Sequence, residues 1–135
     1  MKLAEATKPR RRRVAAAALV LLAAVLIAGA AAAEPPGQPA LFKKMIGALE
    51  SGNYEAFVAG GDPAFKAALT KALFDGTTAK VGPLLKAGYT PTYLGTLNQR
   101  GWAIHLWKLS FKAGGNDLLV RMAMQDGKVV EFNFQ

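Results

Sequence analysis

At Tyr89 the spacing of apolar residues changes from a helical to a strand period, and that switch restricts the chain to an α+β fold. Upstream, Leu41, Phe42, Met45, Ile46 and Leu49 fall on one face of a helix that Ser51-Gly52 ends. Asn53 is a natural N-cap for a short second helix with Tyr54, Phe57 and Val58 inward, stopped by Gly60-Gly61. Asp62-Pro63 joins a capping acid to a proline at the first helical position. The stripe Phe65, Ala68, Leu69, Ala72 and Leu73 then predicts a third helix to about Phe74. A last short helical piece is expected over 81–86, bent at Gly82-Pro83 and ended by Gly88.

Downstream of the switch, four strands are expected at about 89–98, 102–112, 117–124 and 129–134. The fold class is therefore α+β, with three to four N-terminal helices packed on one face of a curved four-stranded antiparallel sheet. A two-residue Gly114-Gly115 loop sets Phe111 opposite Leu118, Leu109 opposite Val120, Trp107 opposite Met122 and His105 opposite Met124, which makes one continuous apolar face. For the last hairpin, a two-residue Asp126-Gly127 loop would set Met122 against Glu131. A three-residue loop, Gln125-Asp126-Gly127 with Gly127 left-handed, sets Met122 opposite Val130, Val120 opposite Phe132 and Arg121 opposite Glu131 as an ion pair, and is preferred.

Ahead of the domain, a basic stretch ends at Pro9-Arg10-Arg11-Arg12-Arg13, and an uncharged apolar stretch follows from Val14 to about Gly29. Small residues at Ala31-Ala32-Ala33 precede Glu34-Pro35-Pro36, so residues 1–33 read as a signal peptide cut after Ala33, with 34–39 a linker and 40–135 the domain. The protein is then exported, to a periplasm or beyond. Its membrane contact is confined to the leader before cleavage. An uncleaved anchor helix is the rival reading, because the apolar run approaches the ~20 residues that span a bilayer.

The formal charge of +8 belongs mostly to this leader. Six of the 17 basic residues and one of the nine acids precede position 34, leaving eleven against eight, a net +3. Lys108, Lys112 and Arg121 share an outer sheet face without forming a basic stripe, and no nucleic-acid partner is expected. The chain has no cysteine, so thiol chemistry, thiolate metal sites and disulfides are excluded. One histidine and no close acid cluster leave no standard metal site, and no glycine-rich or nucleophile-elbow motif implies a cofactor.

His105 carries whatever imidazole chemistry exists, on a sheet face shared with Trp107, Leu109 and Phe111. A general base needs an orienting partner, and no acid falls at an inward strand position, so no catalytic residue is assigned. On the opposite face, Trp102, Ile104, Leu106, Leu119 and Val129 form an apolar end. A partner subunit, the linker or solvent could cover it, and a homodimer through this outer face is the expectation.

Three runs carry a family resemblance: Gly52-Asn53-Tyr54-Glu55-Ala56-Phe57, His105-Leu106-Trp107-Lys108-Leu109-Ser110-Phe111-Lys112 and Asp126-Gly127-Lys128-Val129-Val130. With the order of elements, they resemble exported domains of the nuclear-transport-factor-2-like (NTF2-like, cystatin-like cone) superfamily. The resemblance implies a cone-shaped pocket between helices and sheet, and frequent dimerisation through the sheet. In such a cone Tyr93, His105, Trp107, Met122, Met124 and Phe132 are the candidate pocket residues for a small apolar ligand. The expected function is a non-enzymatic, self-associating binding domain. The alternatives are an isomerase- or dehydratase-type enzyme using His105 and an envelope interaction module without ligand.

Overall fold

The computed structural model describes residues 32–36 and 38–135; most of the leader, residues 1–31, lies outside the described residues. Four helices precede four strands: α1 (Gln38–Ser51), α2 (Tyr54–Val58), α3 (Pro63–Ala68), α4 (Lys71–Lys86), β1 (Tyr89–Gln99), β2 (Trp102–Phe111), β3 (Leu118–Gln125) and β4 (Lys128–Phe134). The strands form one antiparallel sheet in the order β1-β2-β3-β4, with the helices on one face. The layout is compatible with an NTF2-like cone. Among the described residues, no helix is long and apolar enough to cross a membrane.

Helix starts follow their capping chemistry. The Asn53 side chain accepts from the Ala56 N–H at 3.0 Å, and Asp62 accepts from the Phe65 N–H at 2.7 Å ahead of Pro63. Gln38 and Pro39, read as linker, instead open α1.

The third helix departs from expectation. It stops at Ala68, Leu69 turns extended, and the Thr70 hydroxyl accepts from the Leu73 N–H at 3.3 Å to start a new helix. The break frees the Leu69 carbonyl, which accepts a hydrogen bond from the Tyr54 hydroxyl at 2.7 Å. It also resets the helical phase. Phe74, Val81 and Leu85 are buried at helical spacing, whereas Ala68, Ala72 and Leu73 of the expected stripe are exposed. Gly82-Pro83 does not set off a separate short piece. Pro83 sits in the last turn of α4, and its carbonyl accepts from the Ala87 N–H at 3.1 Å.

Two sheet registers also differ. Residues 112–117 form a longer loop containing Gly114-Gly115, and β2 pairs with β3 shifted by two residues: Leu109 with Leu118, Trp107 with Val120, His105 with Met122, Ala103 with Met124. Because side chains alternate with period two, a shift by two leaves every residue on its expected face. In the last hairpin the turn is the two-residue Asp126-Gly127, both with positive φ (50° and 73°), a primed turn that matches strand twist. A bulge then inserts Val130, so Met122 meets Phe132 rather than Glu131, and Val120 meets Phe134. The bulge resolves the clash that disfavoured the short turn. Arg121 still pairs with Glu131, now as a diagonal neighbour.

The core lies between α1, α2, α4 and the inner sheet face. Trp107 is fully buried and stacks on Phe42 of α1, with ring centroids 4.2 Å apart and planes within 11°. Val129, expected on the outer face, is paired with Met124 and buried in this core. Its backbone bonds outward to the Gly60 carbonyl and the Asp62 N–H, both at 2.9 Å.

Candidate functional site

The six candidate pocket residues lie together on the inner face. Tyr93 pairs with Trp107, His105 with Met122, and Met122 with Phe132. Their side chains fill the interior: Trp107 and Met122 are fully buried, and Tyr93 and Met124 nearly so.

The polar part of this cluster depends on a β-bulge. An unbroken strand would put Tyr93 and Thr96 on opposite faces. The extra residue Leu94 shifts the register between Tyr93 and Gly95, so both hydroxyls project inward beside His105. Thr96 Oγ1 lies 3.0 Å and Tyr93 Oη 3.5 Å from His105 Nδ1, and the two hydroxyls hydrogen-bond each other. The imidazole is 4 % exposed, and burial holds its pKa below the ordinary histidine value, so the ring is neutral at pH 7. A neutral ring with two hydroxyl partners can accept a proton, yet neither hydroxyl offers the charge with which a carboxylate stabilises an imidazolium. Sequence reasoning missed Thr96, because strict alternation places it on the wrong face.

Nearby, the Trp107 indole N–H donates to Glu34 Oε1 at 3.3 Å, so the segment ahead of α1 lies against the core tryptophan. Among the described residues, no group of three or more His, Cys, Asp or Glu side chains could hold a metal ion.

Open space lies elsewhere. A cavity of about 520 Å³ sits between α4, α2 and the edge strand β4, walled by Phe57, Leu69, Leu73, Phe74, Phe132 and Phe134. Gly76, Thr77 and Lys80 of α4 and Asn133 of β4 are also among its lining residues, of which Lys80 is the one charged side chain. Its volume falls within the roughly 300–1,000 Å³ of small-molecule sites. Of the six candidate pocket residues, Phe132 borders it. The α4 contribution escaped the sequence reading because Leu73 had been assigned to a continuous buried stripe. The signal that would have found it is Thr70, a capping residue inside an apparently unbroken pattern. A second cavity of about 420 Å³ separates α3 from β4 and is bordered by Trp102.

No protein-family model matches the chain, and no curated protein or solved structure shows significant similarity to it. The functional reading therefore rests on the site itself.

On the outer sheet face, Ile104 is already fully buried within one chain, and Trp102, Leu106 and Leu119 are half-buried. With Val129 turned to the core, the expected outer patch is narrower.

Proposed function

We propose that the protein is an exported, non-enzymatic NTF2-like binding domain whose cavity between α4 and β4 takes a small apolar molecule with an acidic head. The observation that carries this reading is the cavity wall. Phenylalanine and leucine side chains surround it, and Lys80 supplies a single positive charge. Such a lining favours an apolar body and orients one anionic end, while offering no acid–base pair for chemistry. Export rests on the basic, apolar and small-residue order of the leader, and N-terminal sequencing of exported material is expected to begin at Glu34.

Decanoate is a suitable probe, titrated calorimetrically. Gly76 lines the cavity, and a Cβ added there meets nothing within 4 Å. Gly76→Leu is expected to fill the space and abolish binding, while stabilising α4 by up to about 1 kcal/mol through helix propensity. Lys80→Met is expected to weaken decanoate but not decanol. Unchanged decanoate affinity in Gly76→Leu would remove the cavity from the account.

The enzyme alternative draws on the Thr96 and Tyr93 hydroxyls at His105. It requires a turnover that His105→Gln abolishes in a folded protein.

A further inference from the structure

We propose that two copies of this chain associate by pairing β1 with β1 about a two-fold axis at Leu97, joining their sheets edge to edge. The inference names the surface for self-association and is independent of the ligand reading, because the cavity lies by β4 at the other end of the sheet.

An edge strand offers unpaired backbone groups, and proteins blunt it with charge, proline or bulges. The first half of β1 is blunted in this way. Gly88 accepts from the Lys112 N–H at 2.9 Å, which fixes the ladder phase so that Pro91 points its missing donor away from β2. The Leu94 bulge follows. From Gly95 to Gln99 the devices stop, and the run Gly-Thr-Leu-Asn-Gln contains neither charge nor proline. Indeed no residue of β1 is charged.

The free groups can be assigned. Arg100 and Gly101 both have positive φ (55° and 77°) and make a two-residue turn closed by Gln99 and Trp102. Counting back from that bonded pair, Leu97 and Gly95 also bond to β2, so the backbone groups of Thr96 and Asn98 point outward. Both residues are exposed, and no other described segment joins this edge of the sheet.

The occupant follows from this geometry. In an antiparallel pair centred on Leu97, Thr96 of each copy exchanges backbone hydrogen bonds with Asn98 of the other, and the two Leu97 side chains meet at the axis. Leu97 is 45 % exposed and Leu94 49 %, two of the three large apolar side chains so exposed among the described residues. A strand without charge meets its own copy without like-charge repulsion, and the same patch serves both subunits.

Cysteine scanning tests this cleanly, because the chain has no cysteine. The protein is purified from the compartment to which it is exported, in the processed form it has there. At the non-hydrogen-bonded position the Leu97 Cα atoms would stand ~4.5 Å apart, inside the disulfide range of ~4.4–6.8 Å. Leu97→Cys is therefore expected to form a covalent dimer under mild oxidation. Leu73→Cys, at the more exposed Leu73 (57 %), is expected to stay largely monomeric. By sedimentation, the unmodified protein is expected to dimerise, and Leu97→Lys to raise the dissociation constant at least ~10-fold at unchanged near-UV circular dichroism. Equal cross-linking at both cysteines, or a dimer in which Leu97→Cys does not cross-link, overturns the β1 interface and returns the outer sheet face to consideration. A monomer at every concentration overturns self-association altogether. None of these outcomes bears on decanoate binding.

Discussion

Phe42 is the side chain through which α1 reaches the centre of the sheet, and truncating it measures how firmly the helical layer is docked. The ring is 2 % exposed and stacks on a Trp107 that is wholly buried. Burying ~150 Å² of aromatic surface at ~25 cal/mol per Å² contributes roughly 4 kcal/mol, and an aromatic pair adds ~0.5–1.5 kcal/mol. Alanine keeps part of that burial and the site partly relaxes, so Phe42→Ala is expected to cost about 3–5 kcal/mol. Domains of this size have total stabilities near 5–15 kcal/mol, so the variant keeps only part of its margin. Urea denaturation followed by tryptophan fluorescence reads the change directly. With a slope of ~1–3 kcal/mol per molar, the midpoint should fall by roughly 2 M. Phe42→Leu, which keeps most of the volume, should cost only ~1–1.5 kcal/mol. A loss below ~1 kcal/mol for Phe42→Ala would mean that α1 does not anchor on Trp107, and the packing described above would be wrong.

Two further outcomes are expected. His105 has a depressed folded pKa, so the unfolded chain binds the proton more readily. Stability should be fully present above the unfolded value of ~6.5 and fall as pH is lowered through and below it. Denaturant midpoints from pH 8 to 5 test this, and His105→Gln should flatten that part of the profile; an unchanged slope would dissociate the imidazole from the effect. Thr70→Ala removes the cap of α4 and should cost ~1 kcal/mol in a urea titration. No measurable loss would argue for a continuous helix through Leu69.

Much of the architecture was legible because local chemistry and global fold agree. The period change at Tyr89, the caps at Asn53 and Asp62-Pro63, and the location of the last turn at Asp126-Gly127 each act within a few residues, whereas the two-residue length of that turn depends on the Val130 bulge beyond it. What escaped depends on tertiary context. The pattern through Leu69 reads as continuous helix, and besides the local Thr70 cap it is the hydrogen bond from Tyr54, distant in sequence, that rewards breaking it. The bulges at Leu94 and Val130 are invisible to strict alternation, yet one assembles the Thr96–His105 pair and the other brings Phe132 inward and leaves Glu131 outward, after the two-residue turn has set Val129 against Met124. The loop over residues 112–117 shifted the β2–β3 pairing but spared its faces, which is why the inner-face assignments stood while individual partners changed. The cavity was hidden for a related reason, since the lining of α4 follows from the phase that Thr70 resets.

The central claim is that ligand binding belongs to the α4–β4 cavity, away from the buried imidazole. Titrating decanoate into isotopically labelled protein and following backbone amide resonances tests it most directly. The predicted result is saturable shifts concentrated on Leu73, Thr77, Lys80, Phe132 and Phe134, lost in Gly76→Leu. Shifts centred instead on Tyr93, Thr96 and His105, or the absence of any saturable shift, would contradict it.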